Sequence, residues 1–155
     1  MERVLHTSSA DETFSLGVRL GTVLESGDFV GLVGQLGAGK TLFSRGVARG
    51  AGVRDDEVSS PTYSIVQSYA GRLALHHVDL YRLSSEADLY ATGYFDLVDA
   101  AGAMLVEWVD HVPNAAPEDS LRVVLQVSGL DARALSIHAS GPRAQALLQR
   151  WLPAQ

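Results

Sequence analysis

Residues 34–41 read Gly34-Gln35-Leu36-Gly37-Ala38-Gly39-Lys40-Thr41 (GQLGAGKT), between the apolar run Phe29–Val33 and a helical run that starts at about Lys40. The stretch matches the phosphate-binding pattern G-x-x-x-x-G-K-[ST]. Glycines permit backbone angles that side chains forbid, so successive N–H groups can turn toward phosphate oxygens. A helix N-terminus beyond them adds free N–H groups and the positive end of its dipole. Lys40 is the only lysine in the chain, against eleven arginines. A composition that favours arginine so strongly keeps lysine where a thin, flexible cation fits and a rigid guanidinium fork does not. Thr41 supplies a hydroxyl suited to Mg²⁺. No N-K-x-D guanine-reading segment is possible with this one lysine, so ATP is favoured over GTP.

The flanks set the fold. Phe29–Val33 is a compact apolar run between turn signals and reads as a buried strand. Leu42, Phe43 and Val47 share a helical face that ends at Gly50 and Gly52. Upstream, Arg3–Ser8 reads as a strand, and Ser9 caps a helix to about Glu25, with Glu12 at capping-box spacing. Downstream, Ser59-Ser60-Pro61-Thr62 is a proline-braced loop. Tyr63–Tyr69 and Leu73–Leu80 form a hairpin, and Ser84 caps a short helix to Tyr90. Ala103–Trp108 is a buried strand. Leu121–Val127 and Ala134–Ala139 form a second hairpin. Gly141-Pro142 opens a terminal helix with Ala146, Leu147 and Trp151 inward. The expected fold is α/β: a P-loop NTPase-type mixed sheet flanked by helices, with antiparallel hairpins, in one domain spanning 1–155.

Composition narrows the partners. With 155 residues, no cysteine and net charge −6, the chain offers no disulfide framework or thiolate site. It also lacks the basic face of a protein that grips nucleic acid unaided. No signal peptide and no run of roughly 18 apolar residues is present, so a cytoplasmic protein off the membrane is expected.

Two acids close apolar runs: Asp79 after Leu75–Val78 and Glu107 after Ala103–Val106. Carboxylates at strand ends beside a phosphate loop hold Mg²⁺ or its waters and orient attacking water. The competing reading is a turn cap or an ion pair with Arg82. Thr62 is either a γ-phosphate sensor or turn chemistry. His76 and His77 fall on opposite faces of a strand, one of them buried and neutral, without metal-ligand company. Trp108 and Tyr81 read as core.

Four motifs occur in order: GQLGAGKTLFSRG (34–46), SSPTY (59–63), HVDLYRL (77–83) and LVEW (105–108). Together they resemble the bacterial TsaE (YjeE) family of tRNA threonylcarbamoyladenosine biosynthesis, over nearly the whole chain. The resemblance implies slow, Mg²⁺-dependent ATP hydrolysis alongside TsaD-like and TsaB-like proteins. Those partners attach threonylcarbamoyl to adenosine 37 of tRNAs that read codons starting with A, so tRNA is met only through the complex. By motif match it implies that Gly37, Ala38, Gly39, Lys40, Thr41 and Leu42 bind ATP. Thr41 and Glu107 would hold Mg²⁺, and Asp79, with Trp108 beside it, would serve hydrolysis. Ser60, Pro61 and Thr62 would form a switch-like loop. Arg133 and Ser9 would approach the nucleotide. The chain departs from the family pattern at Gln35, usually aspartate, and at Leu42, usually a second hydroxyl residue. Two rivals stay open: a small P-loop kinase, though no arginine-bearing lid follows Glu107, and a module that uses ATP only as a conformational ligand.

Overall fold

The computed structural model describes residues 1–58 and 65–154; the expectations placed on Ser60, Pro61, Thr62 and the start of the Tyr63 strand lie outside them. Among the described residues, seven strands form one sheet: β1 (Glu2–Thr7), β2 (Phe29–Val33), β3 (Val66–Ala70), β4 (Ala74–Asp79), β5 (Ala103–Glu107), β6 (Leu121–Val127) and β7 (Arg133–Ala139). Their order is β1-β7-β6-β2-β5-β4-β3. The centre is parallel, β6-β2-β5-β4, and the flanks are antiparallel, through the β3–β4 and β6–β7 hairpins and the β1–β7 pair. This is the mixed sheet that two hairpins around a parallel core require.

Both faces of the sheet are covered, and the period of two along each strand decides what faces where. Val30 and Leu32 of β2, Leu75 of β4, and Ala103 and Leu105 of β5 pack into one core with Leu20, Phe43, Val47, Leu147 and Trp151. Those partners lie on α1 (Ala10–Val23), α2 (Lys40–Gly50) and α5 (Pro142–Trp151). Val78, Met104 and Val106, on the alternate positions, pack with Leu89 and Tyr94 on the other side, from α3 (Glu86–Ala91) and α4 (Tyr94–Val98). Asp79, four residues after Leu75, and Glu107, two after Leu105, therefore fall on the α2 side, where each strand runs out.

Helices α1 and α2 meet backbone to backbone. A Cβ added at Gly17 would stand 2.4 Å from the Phe43 carbonyl oxygen, and one at Gly46 would stand 2.3 Å from that of Phe14. Gly21 and Gly50 repeat the contact one turn on. This seam explains why the apolar spacing of α1 looked loose. Its buried face is Thr13, Leu16, Gly17, Leu20 and Gly21, and glycine carries no hydrophobic signal.

Several local expectations are corrected. The cap of α3 is Ser85, whose hydroxyl accepts from the Asp88 amide, not Ser84. Ala146 is exposed, and Ala144, Leu147, Leu148 and Trp151 form the inner face of α5. His76 and His77 are both buried, because a sheet covered on both sides buries both parities. Helix α4 and the 3₁₀ turns at Asp55–Glu57 and Val109–His111 are too short to show periodicity.

Alanine in place of glycine inside a free helix is worth about 1 kcal/mol of added stability. At the seam the sign reverses, because the new methyl meets a carbonyl oxygen. Gly17→Ala and Gly46→Ala are each expected to cost about 1–3 kcal/mol, lowering Tm by several degrees in calorimetry. A Tm equal to or above that of the parent would show that the seam has slack.

Candidate functional site

The glycine loop leaves the end of β2, at the sheet centre. Gly37 and Gly39 hold φ of 81° and 105°, left-handed values that cost a side-chain-bearing residue 1–2 kcal/mol or so. Ala38 N–H donates to the Gln35 carbonyl at 3.0 Å and closes the turn. Gly39 is the N-cap of α2, offers no side-chain cap, and is followed by no acid in the first turn. The opening amides of α2 therefore keep donors and positive potential with nothing from a side chain to quench them. Leu42, half-buried, offers only its backbone here.

Lys40 is buried in the first turn of α2. Its ammonium donates to the carbonyls of Gly34 and Gln35, the latter at 2.9 Å, and lies 3.8 Å from the centroid of the Trp108 ring. Burial pushes its pKa down, while Glu107, Asp110 and Asp79 push it back up. Asp110 was not picked out from the sequence; it follows the E-W motif by two residues. Gln35, the departure in the loop, contributes its carbonyl to both Lys40 and Ala38.

The two strand-end acids are register partners: Asp79 of β4 lies beside Glu107 of β5, and Leu32 of β2 lies on the other side of Glu107. Glu107 is 2% exposed. Its Oε1 accepts from the Thr41 hydroxyl at 3.3 Å, and its Oε2 is 2.6 Å from His77 Nε2. Asp79 Oδ1 accepts from the Tyr81 amide at 2.9 Å. Burial raises the Asp79 pKa above the usual carboxylate value; the Tyr81 amide lowers it, Glu107 raises it, and His77 and Lys40 lower it. Neither acid pairs with Arg82 in any described contact.

Trp108 stands at φ 58°, an uncommon setting for a bulky residue and a mark of local strain. That conformation turns its ring over Lys40 and against Tyr81 and His111, with centroids at 5.0 and 4.7 Å. Tyr81 is 49% exposed, so it is not the core residue expected from the sequence. Arg133, at the start of β7, donates from Nε to the Ala38 carbonyl at 3.0 Å and from Nη2 to that of Gly37 at 3.3 Å. Ser9 is committed to capping α1 through the Glu12 amide. Its segment reaches the loop through Thr13, whose methyl lies 3.9 Å from the Cβ position of Gly39 and whose hydroxyl pairs with Thr7 at 2.7 Å. Thr62 lies outside the described residues.

The structure thus brings Gly37, Ala38, Gly39, Lys40, Thr41, Asp79, Glu107, Trp108 and Arg133 to one end of the parallel strands. That is where open α/β sheets hold their ligands. Sequence reasoning missed His77 as a site residue. The signal was available: His77 precedes Asp79 by two on the same strand, hence on the same face. The donors also bear on which ion the site could hold. Among the described residues no three His, Asp or Glu side chains gather as a metal cage. One hydroxyl and one carboxylate side by side suit Mg²⁺, which keeps waters and takes its remaining ligands from phosphate.

The sequence model of the family described as "Threonylcarbamoyl adenosine biosynthesis protein TsaE" matches residues 7–135. The tRNA threonylcarbamoyladenosine biosynthesis protein TsaE of Treponema pallidum is 40% identical over 119 residues, 77% of this chain and 87% of that protein. Its Bacillus subtilis counterpart is 35% identical over 145 residues, 92% of this chain and 89% of that one. The crystal structure of Bacillus subtilis YdiB superimposes with a TM-score of 0.77 at 28% identity, covering 97% of this chain and 94% of that one. With the P-loop NTPase-type sheet and a family match across most of its length, this chain belongs to the TsaE family of tRNA threonylcarbamoyladenosine biosynthesis proteins.

Proposed function

We propose that this protein binds ATP with Mg²⁺ at the glycine loop and hydrolyses it, acting with TsaD-like and TsaB-like proteins in modification of adenosine 37 of tRNAs that read codons starting with A. The observation that carries the reading is the pairing of the Thr41 hydroxyl with Glu107 Oε1 at 3.3 Å, one residue beyond Lys40 and at the uncapped start of α2.

Each residue then has a task. The amides from Gly37 to Leu42 receive phosphate oxygens. Lys40 exchanges the carbonyls of Gly34 and Gln35 for phosphate, which conserves its hydrogen bonds while adding opposite charge. Thr41 and Glu107 hold the metal, whose charge offsets that of the phosphates when it is bound. Asp79, beside Glu107 and oriented by the Tyr81 amide, positions the attacking water. Trp108 covers one side of Lys40 and keeps water from it. Arg133 holds the carbonyls of Gly37 and Ala38 and so fixes the loop on which the amides are displayed. Ser9 acts through the placement of α1. The net charge of −6 and the scattered arginines fit a protein that meets tRNA only through its partners. No helix among the described residues is long and apolar enough to cross a membrane.

Lys40→Ala is expected to weaken ATP binding by about 2–3 kcal/mol, roughly 30- to 150-fold; unchanged affinity by calorimetry would refute the phosphate loop. Glu107→Ala is expected to retain nucleotide affinity in EDTA and to lose Mg²⁺-dependent phosphate release, and parental turnover would move the metal elsewhere. Phosphate release is expected to rise when TsaD and TsaB are added together. Phosphate appearing on a small molecule instead would favour the kinase reading.

A further inference from the structure

We propose that His77 is a positioning residue for the metal site: it fixes the Glu107 carboxylate so that Oε1 alone is presented to Thr41 and to the ion between them. The proposal rests on the Mg²⁺ reading above and assigns a role to a side chain that reading does not use.

Glutamate at the end of a strand has three side-chain torsions to settle, and ordering such a chain costs up to about 2 kcal/mol of rotamer entropy. Glu107 is nonetheless held at both oxygens. Oε2 lies 2.6 Å from His77 Nε2 and Oε1 lies 3.3 Å from the Thr41 hydroxyl. A carboxylate that holds a metal ion only accepts, so with the ion in place His77 Nε2 carries the proton of that bond. Both side chains are 3% exposed, which removes water as a competing donor. The strand register supplies the approach. Cα of His77 pairs with Leu105 and Cα of Asp79 with Glu107, so His77 sits on the strand face of Asp79, two residues behind it, and reaches diagonally forward to Oε2. Residue type matters as much as place. Arginine here would make bidentate bonds and occupy both oxygens. Histidine engages one oxygen through one nitrogen and leaves the other free.

A histidine that merely satisfied a buried carboxylate would predict a different outcome: loss of stability without a selective loss of metal. The discriminating experiment is Mn²⁺ titration by electron paramagnetic resonance in the presence of ADP, paired with ADP affinity in EDTA by calorimetry. His77→Phe is expected to raise the Mn²⁺ half-saturation concentration about tenfold or more and to leave ADP affinity in EDTA unchanged. His77→Gln, which keeps an amide donor near the position of Nε2, is expected to recover most of the Mn²⁺ affinity. Parental Mn²⁺ binding in His77→Phe, equal losses with and without metal, or a glutamine no better than phenylalanine would each overturn the proposal. Should His77→Phe fail to fold, His77→Gln against the shorter His77→Asn decides it: glutamine well above asparagine supports it and equality overturns it. A parent protein with no metal-dependent ADP binding would remove the metal site itself, whereas a metal site indifferent to His77 would remove only this role.

Discussion

The approach of α2 to α1 governs the geometry of everything at the mouth of the sheet. Gly17 and Gly21 face Gly46 and Gly50 so closely that a methyl at any of them would meet a backbone carbonyl oxygen at 2.0–2.4 Å. Such contact lets α2 lie flat on the parallel strands and start directly beyond β2. Its first turn then arrives where β5 ends, with Thr41 at 3.3 Å from Glu107 and Lys40 under Trp108. Were α2 pushed outward by the thickness of a methyl, the hydroxyl–carboxylate pair would open beyond hydrogen-bond reach. Phe43 and Val47 on the same helix fix its rotation in the core, so distance and rotation are set by different residues.

The electrostatics of the site follow from that placement. Lys40 carries the one ammonium side chain, buried so that it loses much of its water, with three carboxylates acting on it. Desolvation is the largest influence on it and lowers its pKa, while Glu107, Asp110 and Asp79 raise it. A lysine held this way has no fixed ion pair among the described contacts, since its described partners are carbonyl oxygens and an aromatic face. Neutral partners are easier to leave than a carboxylate would be, because an exchange for phosphate strands no buried charge. Arg133 acts on the same loop by holding the carbonyls of Gly37 and Ala38 with its guanidinium fork.

How much of this was legible in the sequence depended on the length scale of the signal. The buried strands, the two hairpins and the glycine loop were readable because each rests on a local rule: period-two burial, turn residues, or a fixed spacing of glycines with Lys40. The approach of Asp79 to Glu107 was readable as two strand-end acids but not as neighbours, since adjacency comes from strand order. The helix seam escaped because hydropathy is blind to glycine, although four glycines at i, i+4 on two helices form a pattern once close approach is considered. Ser84 and Ser85 are equally good caps by chemistry, and only the path of the chain after β4 selects Ser85. For α5, which side faces inward was set by the sheet below it, and that exposed Ala146 while burying Ala144 and Leu148.

His77 shows where the boundary falls. Two adjacent histidines on a strand normally imply one inside and one outside, which holds only for a sheet with one wet face. Here helices cover both faces, so both rings are buried and each needs a polar partner. His76 finds Ser68 at 2.8 Å and the Ala101 carbonyl at 2.9 Å, which tie β4 to β3 and to the turn before β5. His77 finds Glu107 instead, because its parity is that of Asp79 and of the α2 side. The same alternation that makes one histidine a structural tie therefore delivers its neighbour to the acid at the mouth of the sheet. Which of the two stands at the site is decided by parity, since His77 lies two residues before Asp79 and His76 lies three.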